Sequence, residues 1–170
     1  MSAATTTRDG ASKEKILYRL FLNAKQFMMN VRGNPDNLFF PFDSGNITPL
    51  STETDDVGDE IRVIQFPQGF KLVDLQVVST ADVDTGTGTL VYDVISDTGS
   101  AETVLISGCT VGATATGKDE LDRNQGNMFL DVGGDWLSVK ITTAANANAG
   151  TGVLRFKGYG FQGSLPNPNA

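Results

Sequence analysis

From Ile61 to Phe161 the chain reads as short alternations of apolar and polar residues separated by glycine-rich turns, and few folds accept such a pattern. A period of two puts successive side chains on opposite faces of a strand. "IRVIQF" is one such run, closed by the turn "PQG". "FKLVDLQVVS" follows, with Val73, Leu75 and Val77 expected on one face and Asp74 and Gln76 on the other. "TLVYDVIS" opposes Leu90, Tyr92 and Val94 to Val91, Asp93 and Ile95. "ETVLISG", "NMFLDV", "WLSVKITTA" and "VLRFKGYGF" complete the series, and "LFFPF" precedes it. The polar "KDELDRNQG" reads as a connection, as does the acidic loop of residues 43–60. About eight to ten strands with no βαβ alternation predict an all-β protein, an antiparallel β-sandwich. The strand number and the 170 residues suit one jelly-roll-like domain better than a seven-stranded immunoglobulin-like one.

The chain before this series is different in kind. Residues 1–14 are small and polar and read as a tail. In "KILYRLFLNAKQFMMNV" the apolar residues fit a helical face as well as two strands, "ILYRLFL" and "QFMMNV". Two asparagines, β-branched and aromatic residues and the lack of a capping box favour the strands. Residues 1–33 carry six basic residues against Asp9 and Glu14, a charge of +4, whereas the rest of the chain sums to −11. The organisation expected is therefore a basic, extended N-terminal arm with first strands at 1–33, a sandwich body at 34–163 and a tail at 164–170. Such an arm suits an acidic protein surface, including a second copy of this chain. Its expected contact residues are the basic Arg8, Lys13, Lys15, Arg19, Lys25 and Arg32 and the apolar Leu20, Phe21, Phe27 and Met28.

Several kinds of chemistry can be weighed from the residues alone. Asp-Thr-Gly occurs at 84–86 and again at 97–99, the triplet that aspartic proteases pair to share one proton between carboxylates about 3 Å apart. Here the two bracket one predicted strand, and its rise of about 3.3 Å per residue would hold them roughly 30–40 Å apart. Turn punctuation explains both. Asp82, Asp84 and Gly86 also begin like a calcium loop, but position 5 offers no side-chain oxygen, Thr87 stands where the sharp turn needs glycine, and no helices flank it. No metal is expected, with Asp82 and Asp84 the weak candidates. Histidine is absent, which removes Ser-His-Asp and Cys-His catalysis and histidine metal sites. No dinucleotide or P-loop pattern occurs, so no cofactor is expected and the chain does not read as an enzyme. Cys109 reads as a small buried residue, and Trp136 as a core or interface aromatic with a sugar platform as the alternative. The acidic body argues against nucleic acid as partner. "MSAATTTRDGASKEK" has no apolar signal-peptide region, and no apolar run is long enough to span a bilayer, so no membrane association is expected.

Within residues 70–161, "VDLQVVSTADVDTGTGTLVYDV", "TVLISGCTVGATATG" and "GDWLSVKITTAANANAGTGVLRFKGYGF" resemble, in order and spacing, small structural proteins of tailed bacteriophages. The resemblance implies a virion component, a capsid decoration or cement protein with a jelly-roll-like sandwich. It implies as partners the major capsid protein and copies of the chain itself, as a trimer. It also implies assembly in the host cytoplasm and a place on the capsid exterior. A carbohydrate-binding sandwich using Trp136 and the Asp82/Asp84 loop, and a head–tail connector, are the competing expectations.

Overall fold

The computed structural model describes residues 5–7, 39–113, 117–121 and 130–162. They form two antiparallel-dominated sheets. One contains β1 (Thr5–Thr7), β3 (Glu60–Gln65), β9 (Trp136–Thr143), β5 (Val91–Asp97) and β6 (Glu102–Cys109), in that spatial order. The other contains β2 (Phe39–Asp43), β10 (Val153–Gln162), β4 (Phe70–Ala81) and β7 (Gly117–Glu120), with β8 (Leu130–Asp131) also on β4. Without β1 and β8, the sheet orders are 3-9-5-6 and 2-10-4-7. This interleaving, with the chain crossing repeatedly between sheets, is that of a jelly roll, as the strand series led one to expect.

The inner faces supply the core. Tyr92 lies opposite Ile141 and Val94 opposite Val139, while Ile61 flanks Val139 from β3. From the other sheet come Leu72, Leu75, Val77, Leu154 and Phe156, all buried. Phe42, Phe66 and Phe70 close one end as an aromatic cluster, with Phe66 stacked on Phe70 at 5.1 Å and Phe42 edge-on to Phe66 at 5.4 Å. Each buried phenyl contributes roughly 2 kcal/mol through removal of apolar area from water. Pro41, which cannot donate to a ladder, sits on β2 at a sheet edge, where one side of the strand needs no donor.

Four expectations change. Val73 does not share a face with Leu75 and Val77. The pairing of β4 with β10 shifts register between Tyr159 and Gly160, so Phe70 and Leu72 point inward before the bulge, Leu75 and Val77 after it, and Val73 is half-buried. The segment "GKDE" is strand β7 rather than part of a connection, because pairing with β4 from Gln76 to Ser79 satisfies its backbone without requiring apolar side chains at an edge. Residues 43–60 are not simply a solvated loop: Glu53, Thr54 and Asp59 are buried there, around a short 3-10 turn at Ser51–Glu53. Thr5–Thr7, expected within a tail, runs parallel to Glu60–Arg62 at the edge of β3. The expected strands at 16–31, the tail at 164–170 and the first half of "NMFLDV" lie outside the described residues.

Two glycines on β10 let the sheets close over the phenylalanine cluster. A Cβ at Gly158 would meet the Phe42 ring and the Asp74 carbonyl, and one at Gly160 would meet the Phe70 ring and the Lys71 carbonyl. The obstacle at both is backbone as well as ring, so relaxation is costly. Gly160→Ala is expected to lower stability by about 2 kcal/mol or more. A urea midpoint unchanged from wild type would contradict this close approach.

Candidate functional site

Five Asx-x-Gly triplets share one local geometry among the described residues. In each, the Asp or Asn side chain accepts the N–H of the glycine two residues on: Asp43 from Gly45, Asp84 from Gly86, Asp97 from Gly99, Asp131 from Gly133 and Asn148 from Gly150. A short carboxylate or amide reaches its own backbone there and closes a turn. The two Asp-Thr-Gly triplets are thus members of a set of turns. They sit at opposite ends of β5. Asp84 accepts the Leu90 N–H at the strand's start, whereas Asp97 ends the strand and pairs with Arg62 at 2.9 Å. Folding the β4–β5 loop back brings the triplets closer than the extended estimate, to about the 20 Å length of the strand, still far beyond a shared proton.

Asp84 does much more than close its own turn. It is 2 % exposed. One oxygen accepts Gly86 N–H at 2.9 Å and Ala147 N–H at 3.3 Å, and the other accepts Thr89 at 2.7 Å, Leu90 at 3.1 Å and Asn146 at 3.1 Å. Burial alone would raise its pKa; the backbone donors, from Gly86, Asn146, Ala147 and Thr89, outweigh that and hold it at about 2. The carboxylate therefore stays charged in the interior, compensated by donors instead of a cation. Both of its oxygens are taken up by N–H groups. Asp82 makes no such contacts among the described residues. Around Asp84, Thr85 N–H donates to the Ala147 carbonyl and Thr89 Oγ1 to the Ala144 carbonyl, while Val83 and Asp84 N–H both donate to Gly112. Gly152 permits this closeness, since a Cβ there would strike the Asp82–Val83 backbone, and Gly86 sits tightly against Asn146 and Ala147.

The β2–β3 loop joins the same assembly through Asn148. Its amide nitrogen donates to the Pro49 and Leu50 carbonyls and to Thr54 Oγ1, at 3.0 to 3.2 Å, and Ala145 N–H donates to the Thr54 carbonyl. Glu53 accepts the Leu50 N–H at 2.6 Å and fastens the 3-10 turn. Loops 44–59, 82–90, 110–113 and 144–152 thus form one bonded end of the sandwich. These segments contain Glu53, Asp55, Asp56, Asp59, Asp82 and Asp84 and no lysine or arginine. The side-chain carboxylates of Asp55, Asp56 and Asp82 make no hydrogen bond or ion pair among the described residues, whereas each of the other described acidic residues has a partner. On the same end Leu50 and Val57 are 53 % and 64 % exposed.

The remaining candidates are accounted for locally. Cys109 is buried, its thiol pKa pushed up by burial, and Tyr92 beside it donates to the Val111 carbonyl at 2.9 Å. The Trp136 ring lies under the Arg62 guanidinium at 5.8 Å, so that face of the indole is taken by a cation rather than open to a sugar. Arg8, Lys13, Lys15, Arg19, Leu20, Phe21, Lys25, Phe27, Met28 and Arg32 all lie outside the described residues. Sequence reading missed the role of Asn148 and the buried state of Asp84; the Asx-x-Gly signature was the local signal available for both.

No family model matches the sequence, and no curated protein matches it. Among solved structures, the fold is similar to a chain of the capsid of Ralstonia phage GP4, with a TM-score of 0.60 and 19 % identity, covering 84 % of this chain and 96 % of that one. It is similar as well to a chain in the capsid asymmetric unit of cyanophage Pam1, with a TM-score of 0.60 and 18 % identity, covering 78 % and 90 %. At such identity the likeness is one of fold.

Replacing Asp84 tests the hub. Asp84→Asn keeps the shape but turns an amide donor toward a ring of donors, and a loss of about 2–3 kcal/mol is expected. The native pKa lies below the unfolded one, so the stabilisation is complete above about pH 4 and disappears as pH falls through about 2. Urea melts across this range should show wild type losing about 2 kcal/mol that Asp84→Asn has already lost. Parallel pH profiles for the two proteins would contradict the assignment.

Proposed function

We propose that the chain is a structural protein of a tailed-phage head, a decoration or cement protein that stabilises the shell through non-covalent contacts. The observation that supports this reading most is the extent of the fold match. Nearly the whole length of a chain from each of two phage capsids is covered by this jelly roll. The motifs of residues 70–161 point the same way. Nothing in this role requires a catalytic group. Its polar residues instead serve to hold loops, as Asp84 and Asn148 do.

In this reading the β body sits on the capsid exterior, and the basic segment from Arg8 to Arg32 docks on acidic surfaces of the major capsid protein and of sister copies. Leu20, Phe21, Phe27 and Met28 add apolar contact between its charges. Arrangement as a trimer multiplies contacts that are individually modest. The electrostatic share of such binding falls with salt, because exposed charges are screened within about 8–10 Å at ordinary ionic strength.

Quantifying the chain in purified particles, before and after a high-salt wash, tests the proposal. A decoration protein should be present in hundreds of copies, as a symmetric shell demands, and be partly released by salt, whereas about a dozen copies would indicate the connector instead. Absence from particles would overturn the virion reading altogether.

A further inference from the structure

The loop end described above combines exposed aliphatic side chains with unopposed negative charge on a backbone that is already ordered. Leu50 and Val57 are two of the four large apolar residues that are exposed among the described residues, and both belong to the β2–β3 loop. Asp55 and Asp56 are exposed between them in sequence, and Asp82 is half-buried on the β4–β5 loop. Asp84, Asn148 and Glu53 fix these loops by hydrogen bonds, so a partner would meet a formed surface and the ordering cost of docking would be small. Elsewhere in the described sandwich several opposite charges pair within the chain: Arg155 with Asp43, Lys140 with Glu102, Lys118 with Glu120.

The complement to this surface exists in the same sequence. Residues 8–32 carry six basic and two acidic side chains and interleave them with Ile16, Leu17, Leu20, Phe21, Phe27 and Met28. Charge and apolarity both match those of the loop end. Thr7 is held on β3 and Phe39 on β10, so this stretch is fastened to the sandwich on both sides. About thirty residues between those points allow an out-and-back reach of roughly 50 Å, enough to cross to a neighbour. We infer that the loop end of one copy, through Leu50, Asp55, Asp56, Val57 and Asp82, receives the basic segment of a second copy. The inference rests on residues 8–32 being a docking segment, as proposed above, but not on the virion role.

Sedimentation of the purified full-length chain at low and high salt tests it. Wild type should self-associate and lose about tenfold or more in affinity at high salt. Asp55→Lys/Asp56→Lys should weaken association by a similar factor, and so should Lys13→Glu/Lys15→Glu/Arg19→Glu. An equal mixture of these two variants should associate again, since one supplies an intact segment and the other an intact loop. Leu50→Ser/Val57→Ser gives a version without charge change, and unaltered melting temperatures confirm that each variant is folded. A wild type that stays monomeric at low salt, a loop variant that associates as tightly as wild type, or a mixture that does not recover would each overturn the inference. Loss of particle binding by the loop variants with self-association intact would also overturn it, and would assign the loop end to the shell. Because the chain is assayed alone, the count of copies in particles decides the virion reading separately.

Discussion

A buried carboxylate that accepts only backbone N–H groups holds one end of this jelly roll together. Asp84 sits on the β4–β5 loop, yet two of its donors, Asn146 and Ala147, come from the β9–β10 loop. An ionised group in such a place would be costly to desolvate if unpaired. Here the donors are backbone amides of the loops, so the buried carboxylate and the N–H groups satisfy one another. The exchange explains how four loops with abundant glycine and alanine, and little apolar bulk, can be ordered. It also explains why Gly152 stands where a Cβ would push the loops apart.

The same arrangement leaves the end of the molecule electrically one-sided. Loop carboxylates not used for internal bonding have no basic residue within those segments to meet them, whereas the strands carry their ion pairs on their own faces. A rigid, negative, partly aliphatic surface and a basic, aliphatic segment in one chain are the elements from which a repeating assembly can be built without catalysis. The proposed role in a phage head needs that property more than any single reactive group.

How much of this was legible depended on whether the determining contact was local. Leu90, Tyr92 and Val94 fell on the buried face as their alternation indicated, because strand geometry fixes that period without reference to a partner. Val73 did not, since the bulge that displaces it is defined by the register against Gly160, almost ninety residues later in the chain. "GKDE" escaped notice because an edge strand gains its backbone bonds from β4 and shows no apolar signature. The Asp-Thr-Gly triplets were readable as turns from the Asp and Gly alone. That Asp84 is buried and saturated was not readable, because its deciding donors lie more than sixty positions away. Likewise Glu53 and Asp59 looked solvated in an acidic stretch, and are buried by contacts that composition does not reveal.

Hydrogen exchange of the backbone amides that face Asp84 measures the hub most directly. The account predicts that the amides of Gly86, Thr89, Leu90, Asn146 and Ala147, loop residues or strand starts, exchange together and about a hundredfold or more slower than the exposed Ser51 amide. Their protection should collapse jointly in Asp84→Asn. Exchange at these five positions as fast as at Ser51, or protection that persists without the carboxylate, would contradict it.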